Sequence, residues 1–309
     1  MAVIASPKKS TNVRNIARLA VLRTGYRLGS WLMPVITLQR AFRLFGTPLP
    51  GGRLRARHSD TAGARIHELP FGRERITVYV WGDAATQPLV LLAHGWSGYG
   101  LFFLPWVQAL RSAGYAVATF DQVAHGRSSG YRATLPMFAD VLHRVANHLG
   151  PLAAVVGHSL GGAAAMLALS RGIAAERAVL IAPAADPGLA AQRFAGFIGL
   201  AEHLSGRLFD EFESLTGICV DTLQAHVNAP HIGRTALIVH DLEDGEVPWA
   251  EGERYARYWP DARLLSTTGL GHNRIVTAAP VIASALRFLQ GQPVGDRVVS
   301  SPNLPYGWA

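Results

Sequence analysis

Residues Gly157-His158-Ser159-Leu160-Gly161 stand between a run of small and branched residues, LAAVV, and an alanine-rich stretch, GGAAAMLALS. The run predicts a buried strand over Leu152–Gly157, and the stretch predicts a helix over Leu160–Arg171. A chain that leaves a strand and enters a helix within two residues must turn sharply, and the residue at the apex is held in strained backbone. Glycines on either side keep side chains out of the turn, and Gly161, Gly162 and Ala163 let the helix lie close to the strands. A serine at the apex then projects its hydroxyl beside a helix N-terminus, whose free amides favour a developing anion. Five such letters alone are a weak pattern. Between a strand and a helix they form the G-x-S-x-G elbow that carries a nucleophile.

The rest of the body supports a matching architecture. Ile76–Trp81, Leu89–His94, Tyr115–Phe120, Arg177–Ala182, Thr235–His240 and Ala262–Ser266 are short apolar runs that predict strands. Helical stretches alternate with them at Leu101–Ala113, Pro136–Leu149, Trp249–Tyr258 and Ile275–Leu289. Near-continuous Val/Leu/Ile/Ala strands are buried on both faces, and strand–helix alternation gives a mostly parallel sheet with helices on both sides. With 49% hydrophobic residues the chain can fill such a core. Its single cysteine, Cys219, excludes a disulfide framework and a multi-thiolate zinc site.

The pattern is interrupted between Ala184 and Thr235. Phe194, Phe197, Leu200, Leu204, Leu208, Phe212 and Leu215 recur there at helical steps, and so long a structureless loop would be unusual. The interval therefore predicts an inserted helical cap, over the carboxyl ends of the strands where open α/β sheets bind ligands. The divisions are a basic helical arm at 1–60, core at 61–185, cap at 186–233, core again at 234–290, and a surface tail at 291–309.

A serine hydroxyl needs a base. Of twelve histidines, His272 in GLGHN is singled out by its place on a loop after the last strand. The base needs a carboxylate to orient it, and Asp241-Leu242-Glu243-Asp244 follows the penultimate strand. The segment Ala93-His94-Gly95-Trp96-Ser97-Gly98 follows the strand LVLLA. It can supply the Trp96 amide to an oxyanion hole, joined by the amide of Leu160, while His94 orders the loop.

With these pieces assembled, the chain resembles the α/β-hydrolase superfamily, in particular bacterial serine hydrolases of the esterase/lipase type with a small helical cap. The resemblance covers about residues 65–290. It rests on HGWSG at 94–98, FDQVAHGRSSG at 120–130, GHSLGG at 157–162, HDLEDGEVP at 240–248 and GLGHNRI at 269–275, in the family's order. It implies Ser159 as nucleophile, His272 as base and Asp244, three residues before Val247-Pro248, as the triad acid, with Asp241 the alternative. It implies no metal or organic cofactor, and neither HExxH, a P-loop nor a dinucleotide fingerprint occurs in a suitable context. One departure is Ala124, where relatives often have glycine before the His-Gly of the second loop. An arm ending like Leu44–Pro48 recurs in some bacterial relatives.

The expected reaction is cleavage of a carboxylic ester through an acyl-serine. Phe102, Phe103 and Trp106 suggest an apolar acyl pocket, although core packing explains them equally well. Thioesterase, perhydrolase and acyltransferase chemistry use the same machinery. A non-catalytic ligand-binding protein of this fold is the rival class, and the intact Ser/Asp/His set argues against it.

Charge is concentrated in the arm. Residues 1–60 hold eleven of the 29 basic residues and one of the 21 acids, so the remainder is near neutral. The high charge is thus no sign of nucleic-acid binding by the whole domain. Arg53, Arg55 and Arg57 lack the interleaved aromatics of a nucleic-acid site. The longest uncharged piece of the arm, Leu28 to Gln39, is shorter than the roughly 20 residues of a spanning helix. It matches a secretory signal poorly, while its Arg-rich, acid-poor composition resembles an organelle transit peptide. Pro34 is expected to split the arm into two helices, which either pack on the domain or lie on an anionic membrane. The placement expected is cytoplasmic, free or peripheral at the inner membrane face.

Overall fold

A computed structural model describes the backbone of residues 8–298 and the side chains of residues 16–298. The outer part of the predicted tail, 299–309, lies outside the described residues. The chain forms two compact units: residues 1–46 with 187–220, and residues 47–186 with 221–309.

The first unit opens with α1 (Lys8–Leu32) and α2 (Pro34–Phe45), divided at Pro34, which sits at the first position of α2. Next in the chain, within the second unit, comes α3 (Pro50–His58). Eight strands follow: β1 (Arg65–Phe71), β2 (Glu74–Trp81), β3 (Leu89–Ala93), β4 (Ala116–Phe120), β5 (Leu152–His158), β6 (Ala175–Ile181), β7 (Thr235–Asp241) and β8 (Ala262–Thr267). They form one sheet in the order β1-β2-β4-β3-β5-β6-β7-β8. The pairs β1–β2 and β2–β4 are antiparallel and all others are parallel. Strands β3 and β4 are buried throughout, as apolar runs covered on both faces must be.

Between strands lie α4 (Leu104–Ser112), α5 (Leu135–Leu149), α6 (Leu160–Ser170), α7 (Pro187–Ile198), α8 (Glu202–Ser205), α9 (Arg207–Thr216), α10 (Ala225–Asn228) and α11 (Trp249–Tyr258). After β8 come α12 (Gly271–Thr277) and α13 (Ala279–Leu289). Together with the sheet this is the α/β-hydrolase fold. A core flanking the sheet contains Val90, Leu92, Phe103, Trp106, Val156, Ile181 and Ile275. Each such side chain stabilises by about 1.5–3 kcal/mol on burial.

Several local features depart from the sequence reading. Leu101–Ala113 is not one helix: a 3-10 turn at Gly100–Phe103 precedes α4, whose start suits Pro105. Phe103 and Trp106 are fully buried, and the Trp106 indole donates to the Val276 carbonyl at 2.6 Å. They belong to the core and offer no surface to an acyl chain, while Phe102 is only partly buried against them. The last helix is two, because Pro280, in the first turn of α13 (Ala279–Leu289), cannot continue α12. Strand β1 is an exposed edge strand with no apolar run to announce it. Near the tail's start, Val294 is buried and Asp296 bridges to Leu264 of β8.

In the first unit α1 and α2 pack on α7 and α9 around a separate core. It comprises Leu38, Ala41, Ala195, Ile198, Leu200, Leu204 and Leu208, with Leu22, Tyr26 and Phe42 at its border. Ser30 fixes the junction: its hydroxyl donates to the Tyr26 carbonyl at 2.7 Å and accepts from the Ala201 amide at 3.1 Å.

Candidate active site

Four strands of the second unit end in the loops that build the site. At the end of β5, Ser159 has φ +52° and ψ −121°, a region that side-chain-bearing residues rarely occupy. Close approach explains the glycines around it. A Cβ on Gly161 would lie 2.4 Å from the carbonyl oxygens of both Ala93 and His94, and one on Gly157 would lie 2.6 Å from the Gly161 carbonyl. Helix α6 therefore abuts the end of β3, and its first amide, at Leu160, has no carbonyl one turn back within the helix.

Ser159 Oγ is 2.9 Å from His272 Nε2, and His272 Nδ1 is 2.7 Å from Asp244 Oδ2. The carboxylate can only accept, so Nδ1 carries the proton and Nε2 is open to the serine hydroxyl. His272 and Asp244 are buried while Ser159 is half-buried. His272 sits in the first turn of α12, not on the loop before it as the sequence suggested. Thr268, Gly269 and Leu270 span the gap between β8 and that helix.

Asp244 Oδ1 accepts the amides of Glu246 at 2.8 Å and Val247 at 2.9 Å. Burial alone would raise its pKa. Hydrogen bonds from His240, His272 and the Val247 amide outweigh that and hold it well below the usual carboxylate range. His240, buried in β7, donates from Nε2 to the Val247 carbonyl at 2.9 Å and lies 3.5 Å from Asp244 Oδ2.

Asp241, the alternative acid, goes elsewhere. Its carboxylate accepts the Thr267 hydroxyl at 2.7 Å, the Leu270 amide at 3.1 Å and the Glu243 amide at 3.0 Å. Burial opposes ionisation, but these bonds and one from the Gly271 amide lower its pKa. Asp241 thus ties the end of β7 to the turn that presents His272.

His158 carries no signal in the sequence beyond its place in the elbow. Its ring lies 4.8 Å from that of His272, and its Nε2 donates to the His272 carbonyl at 3.0 Å. Burial, then the nearness of His272, pushes its pKa down to about 3. It stays neutral beside a base that must take up a proton.

On the other side of Ser159 is the loop after β3. A Cβ on Gly95 would lie 2.9 Å from Ser159 Cβ. The amides after Trp96 are committed: Ser97 donates to His125 Nε2 at 3.0 Å and Gly98 to the Gly95 carbonyl at 3.1 Å. His94 Nε2 accepts from the Gln122 amide at 3.0 Å, which leaves Nδ1 to donate to the Gly95 carbonyl at 2.7 Å. Burial pushes the His94 pKa down to about 4 and that of His125 to about 3. Both are neutral ordering groups. Buried Asp121 links the two loops, accepting from the Gly100 and Arg127 amides and the Tyr79 hydroxyl.

A serine within hydrogen-bond reach of an imidazole that a carboxylate orients, at the rim of this sheet, defines a protein class. The chain has the α/β-hydrolase fold and is a hydrolase with a serine-hydrolase type of activity. Residues 84–237 match the family described as serine aminopeptidase, S33. That stretch contains the Gly95 loop and the elbow but ends before Asp244 and His272. Over 264 residues the chain is 27% identical to a Variovorax paradoxus (strain S110) protein described as the carbamate hydrolase RutD, covering 70% of this chain and 94% of that one. Among solved structures it is similar to Est1E from Butyrivibrio proteoclasticus with ferulic acid bound, at TM-score 0.60 and 19% identity, over 73% of this chain and 98% of that one. A structure from Acinetobacter baumannii AYE described as a lipase matches at TM-score 0.58 and 19% identity, over 81% of this chain and 96% of the other.

Proposed function

We propose that the protein cleaves a carboxylic ester, with an apolar acyl group preferred, through an acyl-serine intermediate. The observation that carries this reading is the continuous chain from Ser159 Oγ to His272 Nε2 and from His272 Nδ1 to Asp244 Oδ2. Ser159 attacks the acyl carbonyl and passes its proton to His272. The amides of Trp96 and Leu160 donate to the oxyanion. His272 returns the proton to the leaving alcohol, and the acyl group stays on Ser159. A water molecule then gives His272 a proton and attacks the acyl carbon, and His272 returns that proton to Ser159 Oγ as the carbon–oxygen bond breaks, which releases the acid and restores the serine. Asp244 keeps the imidazole oriented and stabilises its cation. Half-buried Trp96 in the loop after β3, Leu160 at the first position of α6 and Leu270 just before α12 support the preference for an apolar acyl group.

A chain-length series of p-nitrophenyl esters, run on the wild type and on Ser159→Ala, tests the proposal. The expected result is a rate that rises with acyl length and falls by at least about 10⁴-fold in the variant. Wild-type turnover that survives in Ser159→Ala would refute the nucleophile. Faster turnover of the matching thioesters would reassign the substrate class. Absence of fluorophosphonate labelling in folded wild type would favour a ligand-binding role.

A further inference from the structure

The first unit buries one side of its N-terminal helices and leaves another side apolar. Leu22, Tyr26, Leu38 and Phe42 face the core shared with α7 to α9. At the α1–α2 corner, however, Leu28, Trp31, Leu32, Met33, Val35 and Ile36 are 47–75% exposed. Single exposed apolar side chains are ordinary on protein surfaces, but six within nine residues form a patch that calls for a partner.

We infer that this corner docks on an anionic lipid surface. Charge selects that partner. Residues 1–46 contain eight basic residues and no acid. Arg23 and Arg27 precede the patch and Arg40 and Arg43 follow it, with no charged residue between Arg27 and Arg40. The arrangement is an apolar wedge with cationic flanks, which suits burial at the headgroup boundary with arginines on lipid phosphates. Trp31 lies at the centre, and an indole favours that boundary. Among the described residues no helix is long and apolar enough to cross a membrane, so the geometry is that of a helix corner lying on the surface. This docking is independent of the ester reading.

Co-sedimentation of the full chain with vesicles tests it, using phosphatidylcholine alone and phosphatidylcholine with a quarter phosphatidylglycerol. The wild type is expected to pellet with the anionic vesicles, and less so as salt rises. Trp31→Ser combined with Leu32→Ser is expected to lower partitioning about tenfold, with an unchanged circular dichroism spectrum. Val35→Ser with Ile36→Ser provides a second pair should the first fold poorly. Arg27→Gln with Arg40→Gln is expected to remove the preference for anionic vesicles. Equal pelleting of wild type and both apolar pairs would overturn the inference, as would wild type that stays in the supernatant. So would a dimer in sedimentation velocity that the apolar pairs convert to monomer without any vesicle binding, since the patch would then belong to a second copy.

Discussion

Asp241 and Asp244 lie three residues apart, and their different partners imply different losses. Asp244→Asn removes the acceptor for His272 Nδ1 and is expected to lower kcat about 10⁴-fold. Asp241→Asn weakens the ties to Glu243, Thr267 and the turn before His272 without touching the imidazole, and is expected to lower kcat about tenfold. The reverse ranking in steady-state kinetics would make Asp241 the triad acid. The buried histidines provide a pH prediction. The pKa of His94 in the fold, about 4, lies below its unfolded value near 6.5. The unfolded chain therefore binds the proton first, and the stability that neutral His94 contributes is present above pH 6.5 and lost as pH falls towards 4. A shift of that size corresponds to about 3 kcal/mol. Asp121, whose pKa burial raises, acts in the opposite direction, so the comparison must isolate His94. Urea unfolding of His94→Gln against wild type at pH 7.5 and 5 should show the difference between them shrinking at the lower pH. A difference independent of pH would contradict it. Ser159, Asp244 and His272 were legible because each follows a predicted strand in a fixed order. The ties of Asp241, His158 and His240 were not, since they depend on which amides and carbonyls a side chain meets after folding.

Helix α3 is an element that the sequence placed in the helical arm without revealing what it packs on. It is only Pro50–His58, its mean hydropathy is low, and its arginines made it look like a continuation of the basic arm. In the fold it backs the loop that carries Trp96. The Leu49 amide donates to Ser97 Oγ at 2.9 Å, and Arg53 binds the carbonyls of Ala124 at 3.0 Å and Gly130 at 2.8 Å. A Cβ on Gly52 would lie 2.2 Å from the Ser97 carbonyl. Gly52→Ala must therefore displace that loop, and kcat for p-nitrophenyl esters is expected to drop at least tenfold with the fluorophosphonate still reacting. Unchanged kcat would show that α3 merely caps the surface. Ala124 has φ +67°, in the left-handed region that favours glycine. A Cβ in the left-handed region costs roughly 1–2 kcal/mol, partly offset by glycine's greater entropy loss on folding. Ala124→Gly is expected to raise stability by about 1 kcal/mol in urea unfolding, and a loss of stability would show that its methyl contributes more by packing. The parallel strands were readable because burial on both faces writes continuous apolar runs. Exposed β1 writes none.

At the scale of the whole molecule, residues 1–46 of the basic arm and residues 187–220 of the inserted interval are one unit, while 47–60 and 221–233 belong to the other, although the sequence presents arm and cap as separate divisions. Periodicity marked each as amphipathic but could not tell which apolar faces meet. Leu38 and Ala41 from one segment close on Ile198 and Leu204 from the other. Removing residues 1–46 would uncover that core, so the truncated chain is expected to scatter light and lose its cooperative thermal transition. A truncation that stays clear and monomeric would show that the inserted helices fold without the arm. The same arrangement has a consequence for synthesis. The arm leaves the ribosome well before its packing partner, which begins at Pro187. At about 5–20 residues per second, the interval from Gly46 is on the order of 7–30 s. Through that wait the nascent helices keep their oily faces uncovered, which makes them a binding target for chaperones during translation.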